Sequence, residues 1–92
     1  MMNFRIITPE KVIINEDSID YIHVTLSDGN PISIYPGHAP LIALLAQCSI
    51  KYEIEQNINE YSVSEGLIKV KDDSINCFVS WAKAIETEKS DD

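Results

Sequence analysis

Apolar residues recur at every second position along much of the chain, which is the spacing of a half-buried β-strand. The alternation is clearest over residues 18–26, where we expect one continuous strand. Residues 4–7 and 12–14 form two shorter runs, and Pro9 between them predicts a turn or kink. The pattern therefore predicts strands from the beginning of the chain.

Two clusters of glycine and proline predict rigid loops. Residues 27–31 read Ser-Asp-Gly-Asn-Pro, and residues 36–40 read Pro-Gly-His-Ala-Pro. In the first cluster glycine accepts positive φ and proline fixes φ, which predicts a loop. In the second, two prolines bracket a glycine and leave little conformational entropy to lose on binding. Residues 41–46 follow as an uninterrupted apolar run. That run fits a buried strand or one helical turn, and periodicity does not distinguish the two.

Alternation continues through the second half of the chain. Residues 56–59 are predicted to be a hairpin loop, and Gly66 is predicted to mark a bend. The last strand is expected to begin near residue 75 and to carry Trp81 on its buried face. No helix longer than about two turns is predicted. About eight short strands, with turns every 8 to 12 residues or so, predict an all-β fold, an antiparallel β-sandwich or barrel.

Length and charge narrow the function. At 92 residues, 45% of them hydrophobic, the chain suits one globular domain. Its formal charge of −8 opposes binding of nucleic acid and of anionic lipid. We expect a domain over residues 1–86 and a flexible acidic tail over 87–92. The longest apolar run is too short to cross a bilayer, so we expect no direct membrane insertion.

Candidate catalytic and metal-binding residues are few. Three glycines are too few for a phosphate-binding loop. His23 and His38 stand apart and no C-x-x-C motif occurs, so we expect neither a metal site nor a cofactor. Cys48 and Cys77 fall within alternating segments and are interpreted as buried apolar residues. Cys48 with His38 as nucleophile and base is the one catalytic hypothesis, and it lacks a third orienting group.

The residue pattern does not decide the role of His38. A histidine between two prolines is presented rather than packed, which suits a contact loop, but an ordinary turn residue fits as well. The residues by themselves therefore predict a small β-sandwich with two rigid loops that serves in binding.

Residues 34–41, Ile-Tyr-Pro-Gly-His-Ala-Pro-Leu, closely resemble the hallmark segment of the epsilon subunit of F-type ATP synthases, called delta in mitochondria. Residues 4–10 resemble the first strand of that family, and residues 61–70 and 75–84 resemble its last hairpins. The resemblance covers about residues 3–86 and implies a flattened antiparallel β-sandwich of about ten strands. The family's C-terminal helical hairpin has no counterpart in these 92 residues.

The resemblance implies a non-catalytic subunit at the foot of the central stalk, peripheral to the cytoplasmic face of the membrane. Such a subunit binds the gamma subunit, contacts the ring of c subunits, and couples proton or sodium translocation to ATP synthesis or hydrolysis. The positions similar to those that face gamma are Thr8, Pro9, His38, Ala39, Pro40, Leu41 and Ile42. The positions similar to those that touch the c-ring are Asp28, Gly29, Asn30 and Pro31.

The sequence differs from the family pattern at several positions, and each difference changes what we expect of the chain. Pro31 stands where the family often has glutamate, which weakens the expected ring contact. Ser33 and Glu65 stand where glycine is common, so we expect a reshaped turn over residues 64–66. Without the helices, ATP sensing and inhibition of hydrolysis are not expected of this chain, whether it is a naturally short subunit or a shortened form. The alternative is a stand-alone interaction module, and an uncovered sandwich edge also predicts a homodimer in isolation.

Overall fold

The computed structural model describes residues 1–85, which form ten β-strands and no helix in that range. The strands are β1 Met2–Ile7, β2 Val12–Ile19, β3 Tyr21–Thr25, β4 Pro31–Ile34, β5 Leu41–Leu45, β6 Cys48–Ile54, β7 Asn57–Val63, β8 Gly66–Lys71, β9 Ser74–Val79 and β10 Ala82–Ala84. The predicted all-β class is confirmed. The predicted acidic tail, residues 87–92, lies outside the described residues.

The strands form two five-stranded sheets that pack face to face. The first sheet has the order β2-β1-β9-β8-β5, and the second has the order β10-β7-β6-β3-β4. Neighbouring strands are antiparallel except β1 and β9, which pair in parallel. The sandwich prediction is confirmed, and the parallel pair places the first strand between β2 and β9, the central strand of the first sheet.

The core lies between the sheets and is built by the alternation itself. In β1 the residues Met2, Phe4 and Ile6 are buried, while the residues between them face outward. The Phe4 ring meets the Tyr52 ring of the second sheet edge-on, with centroids 5.1 Å apart. The other fully buried side chains are Ile19, Ile22, Ile34, Leu45, Ile50, Val63, Ile68, Val70, Ile75 and Cys77.

Two strand predictions were wrong in a related way. Residues 18–26 are not one strand, because the chain breaks at Asp20 and passes from β2 in the first sheet to β3 in the second. Ser18 has φ of 61°, a left-handed conformation that accompanies this crossing. The apolar run after residue 40 is a strand, but it lies at the edge of the first sheet rather than in its interior.

The predicted loop over residues 56–59 was also wrong. Ile54 pairs with Asn57, so the turn consists of Glu55 and Gln56 alone, with φ of 49° and 71°. A two-residue turn with both φ values positive matches the twist of a hairpin. Glu55 and Gln56 lack the Asn-Gly pair that usually marks such a turn, so the turn could not be located from the sequence.

Ser33 and Glu65 do not have positive φ, so neither residue carries the strain of a left-handed conformation. The reshaping of the turn over residues 64–66 stays a prediction. Gly66 is the first residue of β8 rather than a bend, and it pairs with Val79. Trp81 follows the end of β9 and is 40% exposed, so its predicted burial was wrong.

Candidate functional site

The loop that contains His38 is held rigid by hydrogen bonds. Its Gly37 has φ of 87° and donates its N–H to Oδ1 of Asp73, at 2.8 Å, in the turn between β8 and β9. The His38 N–H donates to the Tyr35 carbonyl at 3.1 Å. The His38 Nδ1–H donates to the neighbouring Ala39 carbonyl at 2.6 Å. The imidazole is therefore half-buried and turned toward its own loop rather than fully presented.

Strand β5 continues this loop and exposes apolar side chains. Leu41 points toward the core and is half-buried, whereas Ile42 is 67% exposed on the outer face of the first sheet. Leu44, two residues further on, is 60% exposed on the same face. Pro40 and Ala39 precede the strand and are exposed. Leu44 was not among the predicted site residues, because within an apolar run its outward direction cannot be seen.

The strand register places Leu44 at the end of a line of apolar side chains. Leu44 pairs with Leu67, Leu67 with Phe78, Phe78 with Ile7, and Ile7 with Val12. We call these five residues the apolar row. It crosses all five strands of the first sheet on the outer face, and Leu44, Phe78 and Val12 are each at least 40% exposed. Four strand spacings give it a length of about 19 Å.

Two shallow grooves lie on either side of Phe78. One, of about 370 Å³, is lined by Ile7, Thr8 and Pro9 among others. The second, of about 360 Å³, is lined by Leu44 and Leu67 among others. Glu65, Gly66 and Phe78 line both grooves. The apolar row therefore has a shape that accepts side chains, and the predicted residues Thr8 and Pro9 form part of its wall.

A polar row runs beside the apolar row, two residues along β1, β8 and β9 and three along β2, where the register shifts. Lys69 pairs with Asn76, Asn76 with Arg5, and Arg5 with Asn15. Ile42 stands at the end of this polar row because it pairs with Lys69. Within residues 1–85, Nε of Arg5 and Oδ1 of Asn76 are buried and have no hydrogen-bond partner. Such orphaned groups are costly unless another molecule satisfies them.

The predicted gamma-facing residues do not gather in one place. Thr8 and Pro9 follow β1 at the end of the first sheet where Gly66 and Val79 pair. His38 lies at the opposite end, because its loop is bonded to Asp73 of the β8–β9 turn. Strand β5 spans the distance between the two ends. The apolar row lies at the end of the first sheet where Thr8 and Pro9 lie, and it does not reach His38.

The predicted ring-facing loop is exposed and tightly bonded within itself. Both carboxylate oxygens of Asp28 accept hydrogen bonds from Asn30, from its N–H at 3.0 Å and from its Nδ2 at 2.9 Å. Gly29 has φ of 89°, which explains the glycine. Pro31 is not part of the loop but the first residue of edge strand β4, where its missing N–H costs nothing. The loop lies next to Leu44, whose carbonyl accepts the Ser27 N–H at 2.9 Å.

The structure does not bring Cys48 and His38 together. Cys48 is half-buried near the end of β5, with Sγ 3.8 Å from the Thr25 carbonyl, whereas His38 precedes the beginning of that strand. Cys77 is fully buried, and burial raises the pKa of its thiol strongly, with a further contribution from Cys48. His23 lies on the second sheet with Nδ1 2.7 Å from Oγ of Ser33. Among residues 1–85, no three acidic, histidine or cysteine side chains are grouped as metal ligands.

The whole described range matches one protein family. Residues 1–85 match the family model for the ATP synthase delta/epsilon chain, β-sandwich domain. The chain belongs to this family. Nothing in residues 1–85 forms a helix able to span a bilayer.

Curated relatives of this family share modest identity with the chain. It is 25% identical over 95 residues to the ATP synthase epsilon chain of Ruminococcus albus, covering 99% of this chain and 69% of the relative. It is 31% identical over 74 residues to that of Carboxydothermus hydrogenoformans, covering 80% of this chain and 54% of the relative. The chain thus spans between about half and two thirds of these relatives.

Solved structures show the same fold. A chain of the Euglena gracilis mitochondrial ATP synthase, in an assembly of OSCP, F1 and c-ring, superposes with a TM-score of 0.83 at 18% identity, over 90% of this chain and 52% of that one. A chain of the Tetrahymena thermophila mitochondrial ATP synthase central stalk and c-ring gives 0.73 at 16% identity, over 88% and 64%. The sandwich of this family is therefore shared far beyond recognisable sequence identity.

Proposed function

We propose that this chain is a non-catalytic subunit of the central stalk of a rotary ATP synthase, which binds gamma and contacts the c-ring. In that position it transmits rotation between ion translocation and ATP synthesis or hydrolysis. Family membership supports the proposal, and so does the fold shared with chains of stalk and c-ring assemblies. The proposed location is peripheral, at the cytoplasmic face of the membrane. The proposed folded unit is residues 1–86, followed by the tail 87–92.

The apolar row is the observation that carries gamma binding. Five apolar residues from five strands form one line on a surface that would otherwise face water, with grooves on both sides of Phe78. Contiguous exposed apolar surface of this kind commonly marks a protein interface. Leu44 and Ile42 then belong to the contact, together with Thr8 and Pro9 at the groove wall. In this arrangement His38 contributes mainly by stabilising the conformation of its loop through its hydrogen bonds to Tyr35 and Ala39.

Contact with the c-ring is assigned to the loop of Asp28, Gly29 and Asn30. The loop is exposed and internally bonded, so it loses little conformational entropy on docking. Arginines of a ring loop would meet the Asp28 carboxylate, which already accepts two hydrogen bonds. An exposed ion pair of this kind contributes about 0.2–1 kcal/mol and serves register more than affinity.

A binding assay with purified gamma from the same organism tests the proposal. We expect a complex in size-exclusion chromatography, weakened about ten-fold by Leu44→Ser because roughly half of a leucine side chain loses its apolar contact. The matched control is Ile58→Ser, since Ile58 is 58% exposed on the second sheet. His38→Ala is expected to weaken gamma binding and to spare the fold. Failure of wild-type protein to bind gamma would reject the proposal.

A stand-alone interaction module is the second candidate function. The apolar row suits a partner of another assembly as well as it suits gamma. The same assay separates the two, because a module of this kind would leave gamma unbound while keeping its thermal stability.

A further inference from the structure

We infer that the apolar row binds an amphipathic segment of gamma that carries carboxylates along one side and a cation along the other, and that opposite charges flanking the row fix the direction in which that segment lies. This inference rests on the proposed function, and it adds the chemistry and orientation of the partner segment.

Charge is distributed unevenly across the outer face of the first sheet. On one side of the apolar row, Glu65 is exposed and lines both grooves. On the other side lies the polar row with Arg5 and Lys69, and Lys71 is one alternation beyond it. Three of the seven basic residues of a chain with a net charge of −8 therefore lie on one half of one face. Asp72 lies beside Lys69 and Lys71, and Asp17 accepts from Nδ2 of Asn3 at 2.8 Å, so the basic charge of this flank is partly offset. Near Glu65, the turn after β1 adds Glu10 and Lys11, whose charges are opposite. A partner segment therefore meets Glu65 on one flank and the side chains of Arg5, Lys69 and Lys71 on the other.

The size of the apolar row limits what can occupy it. A line of about 19 Å corresponds to about 13 residues of α-helix, at 1.5 Å each, or to about six residues of strand. The two grooves beside Phe78 accept large apolar side chains from such a segment. The two rows are about 7 Å apart along the strands, which is within reach of acidic side chains on the flank of the same segment. One amphipathic segment can therefore engage both rows at once.

The polar row is incompletely satisfied in the isolated chain. Nε of Arg5 and Oδ1 of Asn76 are adjacent in the register, one a donor and the other an acceptor, and neither has a partner within residues 1–85. The Arg5 guanidinium has further N–H donors besides the buried Nε, and a carboxylate of gamma would accept from these. A charge-assisted bond of this type is about twice as strong as a neutral one. The site thus favours acidic partner residues on this flank over apolar ones.

The test measures gamma association kinetics with the full 92-residue chain and charge variants. The first variant is Lys69→Glu, and the second is the double variant Lys69→Glu with Glu65→Lys, which keeps the net charge of −8. The matched control is Lys51→Glu, because Lys51 is exposed on the second sheet. All three positions are exposed, so thermal melts should stay close to wild type. Titrating salt from 50 to 500 mM separates screened charge effects from apolar contact.

We expect Lys69→Glu to lower the affinity for gamma about five-fold at low salt, mostly by lowering the association rate. At high salt the affinity of this variant should approach that of the wild type, because salt screens the charge. The double variant should bind at least as weakly as Lys69→Glu although its net charge is unchanged, while Lys51→Glu should bind like wild type. If gamma binds wild type and the double variant equally well at low salt, the inference is wrong and gamma binding stands. If gamma binds none of the proteins, both the inference and the proposed function fail.

Discussion

Gly66→Ala should be the most damaging single-methyl substitution in the protein. Gly66 pairs with Val79 at the beginning of β8, where the two strands approach closely. A Cβ atom built on Gly66 would overlap the carbonyl oxygen of Phe78 and lie 2.9 Å from Cγ1 of Val79. The obstacle is backbone rather than a flexible side-chain end, so the strands themselves must separate.

The cost follows from that separation. Overpacking a close contact costs about 1–3 kcal/mol, and each ladder hydrogen bond lost adds about 1 kcal/mol. We therefore expect Gly66→Ala to lower the free energy of unfolding by about 3 kcal/mol. A domain of this size has a total stability of about 5–14 kcal/mol. At about 4–8 °C for each kcal/mol, the melting temperature should fall by about 12–24 °C.

Thermal unfolding followed by circular dichroism measures this effect, with Gly29→Ala as the control. Nothing lies within 4 Å of a Cβ built on Gly29, and only its φ of 89° opposes alanine. That strain costs about 1 kcal/mol, or about 4–8 °C. If Gly66→Ala melts within 4 °C of wild type, or above Gly29→Ala, the close approach of Phe78 to Gly66 does not limit this position.

Two further predictions concern titration and thiol reactivity. Burial raises the pKa of Tyr52 to about 12, with smaller contributions from Tyr61 and Glu16. Because unfolded tyrosine titrates near pH 10, the stability from this group is complete below about pH 10 and is lost as pH rises toward 12. We expect a loss of about 1–2 kcal/mol after allowance for solvent screening, and a shallower alkaline loss of melting temperature in Tyr52→Phe. Iodoacetamide should label Cys48 well before Cys77 in the native protein, because burial disfavours the Cys77 thiolate. Equal labelling rates by mass spectrometry, with the denatured protein as the reference for full reactivity, would contradict that assignment.

Candidate site residues could be predicted from the sequence only where they belong to a recognisable local motif. Gly29 was expected at positive φ and adopts it, and Gly37, for which no such prediction was made, adopts it as well. Thr8, Pro9 and Ile42 came from the family resemblance, and the structure places them around the outer face of the first sheet. Leu67, Phe78 and Val12 were missed. Each is one outward apolar residue in an alternating or mixed strand, and no local pattern distinguishes it from an ordinary exposed side chain.

The all-β class, the approximate strand positions and the family could be predicted from the sequence, because they depend on the two-residue period and on short motifs. Which strands are neighbours became visible only in the folded chain. Strand β1 lies beside β9, about seventy residues later, and this non-local pairing aligns Ile7 with Phe78. The apolar row, its charged flanks and the need for glycine at residue 66 all follow from lateral register. Register is set by hydrogen bonds between segments distant in the chain, and periodicity within one segment carries no information about it.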